Sequence, residues 1–77
     1  MPQMSIIYCD HAETRIKQRE LDKKSIEAAI NNPNNMMPSF GERSITQKKF
    51  NNKILEVVFK KLDGGIIVIT AYWLKEA

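Results

Sequence analysis

The sequence predicts an α+β domain: a short N-terminal strand, two helices, then a curved antiparallel sheet built as a meander. Three observations lead there. Between His11 and Ile30 the apolar residues recur at helical spacing. From Met36 onward the pattern changes to β-branched and aromatic runs. Turn-type stretches, Gly41-Glu42, Asn51-Asn52 and Asp63-Gly64-Gly65, separate those runs.

Ser5-Ile6-Ile7-Tyr8 reads as the short strand. Asp10 is the expected N-cap of a first helix from about His11 to Glu20, with Glu13 at its third position. Ala12 and Ile16 form the narrow apolar stripe of that helix. Leu21-Asp22 breaks the register, and Asp22 caps a second helix from Lys23 to about Asn31, whose buried stripe is Ile26, Ala29 and Ile30. Pro33 among the asparagines Asn31 to Asn35 stops it and sets an ordinary loop within the domain.

Met36 to Phe40, broken by Pro38, suits an edge strand. Arg43 to Phe50 and Lys53 to Lys61 form a hairpin around Asn51-Asn52, and a second hairpin leads into Ile66 to Trp73. That last strand is nearly all apolar and β-branched, so it is expected inside the sheet and covered on both faces for much of its length.

The length of the second loop decides which residues share a face. Three residues, Asp63-Gly64-Gly65, put Leu55, Val57, Phe59, Ile67, Ile69 and Ala71 under the helices, and Thr70 and Tyr72 opposite with Glu56, Val58 and Lys60. Two residues, Asp63-Gly64, flip the last strand and bury Thr70 beside Val57. The three-residue loop segregates polar from apolar better and is the expectation.

Length and composition set bounds. A chain of 77 residues, read as a single domain over 1–77, buries only about 60% of its unfolded surface, so its stability is modest. One cysteine forms no internal disulfide, and neither a metal-ligand spacing nor a cofactor motif is present, so no metal and no cofactor are expected. No stretch is long enough to span a bilayer and no signal peptide is evident, which predicts a soluble, cytoplasmic protein with no membrane partner. The net charge of +3 favours anionic partners only weakly.

The richest stretch for chemistry is the first helix. His11, Arg15 and Arg19 recur at i, i+4 and i+8, so the only histidine and two arginines lie in one row. Histidine exchanges protons near neutrality, and the planar fork of arginine suits a phosphate. The plain alternative is a capping histidine on a solvated face, and the two readings weigh about equally. Thr70 and Tyr72 place two hydroxyls in the most apolar strand, where good strand propensity is the leading explanation and RNA contact the second. Arg43, Lys48, Lys49 and Lys60 load the middle hairpin with charge, as an RNA-binding surface or a soluble edge requires. Glu56 and Asp63 read as isolated carboxylates.

The spacing His11-Ala12-x-x-Arg15-x-x-x-Arg19, then Ser25-Ile26 with Ala28-Ala29-Ile30-x-x-Pro33, then Val68-Ile69-Thr70-Ala71-Tyr72, resembles a family of small bacterial proteins of unassigned function. That family is similar to a branch of the RelE-like ribonuclease toxins, within the barnase, EndoU, colicin and RelE group. The resemblance implies metal-independent RNA cleavage, with ribosome-associated mRNA as one candidate substrate, and a toxin–antitoxin setting in which a cognate antitoxin covers the active face. Carried over, it marks His11, Arg15, Arg19, Thr70 and Tyr72 as catalytic; Arg43, Lys48, Lys49 and Lys60 of the charged hairpin are the residues expected to hold the RNA. The usual Arg-Gly-Ile/Val entry to the second helix reads Arg19-Glu20-Leu21 here. A non-catalytic RNA- or protein-binding module on the same scaffold is the alternative function, and a homodimer through edge strands or apolar faces is a third reading.

Overall fold

The computed structural model describes residues 5–75. In chain order these are β1 (Ser5–Tyr8), α1 (Asp10–Gln18), α2 (Lys23–Asn31), β2 (Asn35–Pro38), β3 (Arg43–Phe50), β4 (Lys53–Leu62) and β5 (Gly65–Lys75). The strands make one sheet in the order β1-β5-β4-β3-β2. The α+β class and the β2 to β5 meander match the sequence expectation, and β5 lies inside the sheet. Its outer neighbour, at the edge of the sheet, is β1, which pairs with it in parallel from Ser5 opposite Gly65 to Tyr8 opposite Val68. A parallel pair needs a long crossover, and here everything from α1 to β4 supplies it.

Both helices pack on one face of the sheet. Ala12 and Ile16 of α1 and Ile26, Ala29 and Ile30 of α2 join Leu55, Val57, Phe59, Ile66, Val68 and Ala71 in one core. Both helical stripes are those the spacing predicts. The strand face differs: Ile66 and Val68 are buried where Ile67 and Ile69 were expected.

The reason is a turn and a bulge acting together. The β4–β5 turn is two residues, Asp63-Gly64, with Gly64 at φ +77 and Leu62 opposite Gly65. That register pairs Phe59 with Val68 and, continued, would bring Thr70 against Val57. Instead the ladder shifts between Val58 and Phe59, leaving Ile69 as an extra residue. Beyond it Thr70 pairs with Val58, Ala71 with Val57 and Tyr72 with Glu56. The bulge restores the parity that a three-residue loop would have given. It keeps the Thr70 hydroxyl out of the core and puts Ala71 there instead. It also presents two successive carbonyls to the start of α1: the Cys9 amide donates to Val68 at 3.3 Å and the Cys9 thiol to Ile69 at 3.4 Å.

The far face of β5 is not covered along its length. Ile67, Ile69, Thr70 and Tyr72 stay partly exposed, because both helices are used on the other side. At the opposite edge β2 is wholly exposed and contains Pro38, as an edge strand tolerates.

The helix ends carry one correction and one substitution of means. Cys9, in extended geometry, caps α1: its Sγ accepts from the Ala12 amide at 3.4 Å, and Asp10 is the first helical residue rather than the cap. Asp22 caps α2 as expected, accepting from the Lys24 amide at 2.9 Å. Helix α1 ends at Gln18, earlier than Glu20, in a Schellman motif: Leu21 donates to the Ile16 carbonyl at 2.9 Å and Glu20 to that of Lys17 at 3.4 Å. The buried pair Ile16 and Leu21 makes the accompanying apolar contact. This motif wants glycine at its left-handed position, and Glu20 occupies it at φ 52. The tight junction is therefore kept without the glycine, at a conformational cost. Glu20→Gly is expected to stabilise the domain by about 0.5–1 kcal/mol, after the extra freedom of glycine in the unfolded chain is subtracted. A urea midpoint that falls instead would show that the Glu20 side chain does more than tolerate the turn.

Among the described residues no helix is long and apolar enough to cross a membrane.

Candidate functional site

The sheet face away from the helices can be read row by row from the strand register. Ile7, Ile67, Lys60 and Arg43 form the first row, and Thr70, Val58, Ile45 and Met37 the second. Tyr72, Glu56, Gln47 and Asn35 form the third, and Leu74, Ile54 and Lys49 the fourth. Thr70 and Tyr72 thus share the open face with Glu56, Val58 and Lys60, in neighbouring rows.

The third row is hydrogen-bonded across three strands. The Tyr72 hydroxyl donates to Glu56 Oε2, and Gln47 Nε2 donates to Glu56 Oε1 at 2.6 Å. Glu56 is only 9% exposed. A carboxylate that deep is tolerable because two donors satisfy it.

Helix α1 reaches this row from the side. Strand β1 stops at Tyr8, so among the described residues the edge of β5 beyond Val68 has no neighbouring strand, and Arg19 lies against it. Its Nη1 donates to the Ala71 carbonyl at 2.9 Å, and its guanidinium lies 5.9 Å from the centre of the Tyr72 ring. The arginine that ends the basic row and the tyrosine of the last strand therefore meet.

The other end of the row stands apart. His11 is exposed, and Arg15 Nε donates to its Nε2 at 3.5 Å while Arg15 Nη1 donates to Gln18 at 3.0 Å. His11 and Arg15 are a contacting pair, as i and i+4 residues should be. Eight residues of helix amount to a rise of about 12 Å, and among the described residues no hydrogen bond or ring contact links His11 or Arg15 to Arg19, Thr70 or Tyr72.

The basic hairpin divides between the faces. Arg43, Lys60 and Lys49 lie on the open face. Lys48 pairs with Leu55 on the helix side, and its Nζ donates to the Asn32 carbonyl at 2.9 Å, closing the loop after α2. Lys48 and Lys49 are adjacent in a strand and so cannot serve one surface together. A shallow hollow beside the third row is lined by Asn34, Asn35, Gln47, Lys49 and Ile54.

Glu56 is the residue that sequence reasoning undervalued. Alternation already placed it on the face of Tyr72, and a lone carboxylate between Leu55 and Val57 in a buried strand was the available signal. What the sequence did not show was the pairing that sets it directly opposite both Gln47 and Tyr72.

Both tyrosines hold their protons tightly. Tyr72 is pushed up to about 12 from 10.0, first by its hydrogen bond to Glu56 and then by burial, with Arg19 pulling the other way. Tyr8 is pushed up to about 12 by burial and by Glu27, whose Oε2 accepts its hydroxyl at 3.4 Å. A pKa raised on folding adds stability that is complete below the unfolded value and is lost as pH rises through the folded one. The native protein is therefore expected to show no tyrosinate absorbance near pH 10, where the chain in urea is half ionised, and its urea midpoint should fall between about pH 10 and 12. Native titration near pH 10 would contradict the Tyr72 hydrogen bond to Glu56 and the burial of Tyr8 beside Glu27.

Among the described residues no group of three or more His, Cys, Asp or Glu side chains is placed to hold a metal ion. No curated protein and no solved structure matches the chain. Residues 8–73 match the model of a domain of unknown function, DUF4258, and the chain belongs to that family.

Proposed function

We propose that this chain is a metal-independent endoribonuclease of a toxin–antitoxin pair, RelE-like in kind, working in the cytoplasm and covered on its open face by a cognate antitoxin. One observation carries the reading: Arg19 from the basic helix stands at Tyr72 on the last strand, with a hydrogen bond to the neighbouring Ala71 carbonyl. Two motifs far apart in sequence thereby border one surface, and the basic residues Arg43, Lys60 and Lys49 lie on the same face to meet an RNA backbone.

In the reaction the ribose 2′-oxygen attacks the adjacent phosphorus, its proton leaves to a base, and the bond to the 5′-oxygen breaks as that oxygen gains a proton. His11 is the group for one of these transfers. Arg15 and Arg19 stabilise the charge growing on the phosphate, and Thr70 and Tyr72 orient the RNA.

A second reading has its own observation. The separation of His11 from the Arg19–Tyr72 contact fits a binding module that uses the open face without chemistry. The test is purified protein incubated with RNA, with and without a chelator. Cleavage that survives the chelator and drops about 100- to 10,000-fold in His11→Ala supports the enzyme. Identical cleavage by wild type and His11→Ala removes the catalytic assignment. Salt-sensitive RNA binding without cleavage, retained in His11→Ala and weakened by replacing Arg43 and Lys60, identifies the binding module instead.

A further inference from the structure

The hollow beside the third row is built by carboxamides, two of which are held in one orientation by their own partners. Asn34 and Asn35 stand together opposite Gln47: the Asn34 amide donates to the Gln47 carbonyl at 2.9 Å, and Asn35 pairs with Gln47 in the ladder. Asn34 Oδ1 accepts from the Lys49 backbone amide at 2.9 Å. Turned over, the side chain would set its amino group against that N–H, so Nδ2 is the atom left over, with two donors. Gln47 is fixed the other way. Its Nε2 donates to Glu56 at 2.6 Å, as a carboxylate requires, and Oε1 remains as an acceptor. The Asn35 side chain is exposed and forms no hydrogen bond among the described residues, so it offers both a donor and an acceptor.

Ile54 adds an aliphatic wall, and the hollow measures about 240 Å³. Pockets for drug-sized ligands run from about 300 Å³ upward, so this one takes a single ring system. Its ligand has a flat apolar face for Ile54 and donors and acceptors along one edge for the amides. A nucleobase meets both demands, and adenine meets them best. The adenine amino group brings two N–H, for Gln47 Oε1 and Asn35 Oδ1, and the ring nitrogen on each side of it accepts from the Asn34 and Asn35 amino groups. Carboxamides are the side chains that pair with adenine in this donor-and-acceptor fashion. Uracil carries one N–H between two carbonyls and leaves one of the amide oxygens without a donor.

We propose that this hollow receives one unpaired adenine of an RNA strand lying on the open face. The inference rests on the RNA reading above but not on cleavage. Asn34, Asn35 and Gln47 are here specificity-determining residues, at the β2 side of the face and away from the arginine row.

The test measures, by fluorescence anisotropy, binding of three labelled 2′-O-methyl oligomers of equal length: an oligoadenylate, an oligouridylate and an abasic strand. The methyl group blocks attack by the 2′-oxygen, so binding is read without cleavage, and equal phosphate counts cancel the backbone contribution. Wild type is expected to bind the adenylate about tenfold more tightly than the abasic strand, with the uridylate between them. Asn34→Asp keeps an acceptor for the Lys49 amide but turns the donor facing the hollow into a second acceptor, so the adenylate advantage should vanish. Asn35→Ala should reduce it without breaking any side-chain hydrogen bond among the described residues. Unfolding midpoints that match wild type tie both changes to the hollow. Equal affinity of wild type for the adenylate and abasic strands, uridylate binding as tight as adenylate, or an adenylate preference unchanged in both variants overturns the proposal and leaves the RNA reading standing. Binding of none of the three removes both. An adenylate preference lost in Asn34→Asp, in a protein that cleaves no RNA, upholds the base site and removes the ribonuclease reading.

Discussion

Gly65→Ala is expected to destabilise the domain by about 2–3 kcal/mol, through steric overlap rather than backbone conformation. A Cβ built at Gly65 overlaps the Ser5 carbonyl oxygen and lies 3.0 Å from Ser5 Cβ. Gly65 opens β5 directly opposite Ser5, the first described residue of β1. Any side chain there lifts β1 from the sheet, and Ile6 and Tyr8, which pack against the core, are displaced with it. A domain of this size has roughly 4–12 kcal/mol in total at 0.05–0.15 kcal/mol per residue, so the loss is a large share. Gly64 is the control: it sits at φ +77 with nothing within 4 Å of the place a Cβ would take, so Gly64→Ala meets only the left-handed backbone cost of about 1 kcal/mol. Urea unfolding of both variants, with hydrogen exchange of the β1 amides, separates the two causes. If the variants lose equal stability, or if β1 stays protected in Gly65→Ala, the close approach is not what holds glycine at that position.

The same segment shows why the sequence could be read so far and no further. Periodicity identified both helices, because Ala12 and Ile16, and Ile26, Ala29 and Ile30, are buried by one partner sheet whatever its register. It also put Thr70 and Tyr72 on the open face, but by a three-residue loop that does not exist. The turn is Asp63-Gly64, and the bulge at Ile69 supplies the missing step. A bulge leaves no composition signal in a run such as Ile66-Ile67-Val68-Ile69, where every residue is equally apolar. Its hydrogen-bond partners lie elsewhere in the chain, in the Cys9 amide and thiol that bind the two carbonyls it presents. The parallel pairing of β1 was hidden for a related reason: four residues separated from β5 by the whole domain carry no local sign of their neighbour.

The candidate site was legible in the same uneven way. Helical spacing aligned His11, Arg15 and Arg19, and the structure joins His11 to Arg15 in one contact and Arg19 to Tyr72 in another. The glutamate at the centre of the open face emerged only with the pairing of β3, β4 and β5. Glu20 at φ 52 marks a junction that residue identity alone argues against, held because Leu21 and Ile16 are buried together.

Arg19 is where these elements converge, and its replacement should have the largest effect on activity outside His11. In the ribonuclease reading, Arg19→Ala is expected to lower the rate of RNA cleavage about 100- to 1,000-fold, the usual loss for one donor aimed at developing charge. Stability should change far less, by under about 1 kcal/mol, because the side chain is exposed and gives up one hydrogen bond to Ala71. Arg19→Lys separates charge from shape. An ammonium on a flexible stem cannot hold the Ala71 carbonyl and present a planar pair of donors to phosphate, so it should restore binding at low salt and little of the rate. The dependence of binding on salt gives a readout independent of cleavage: Arg19→Ala should reduce the slope of log affinity against log salt by about one, the mark of a lost phosphate contact. An unchanged slope, or full activity in Arg19→Lys, would confine Arg19 to sealing the free edge of β5 and move the phosphate site toward Arg15 and His11.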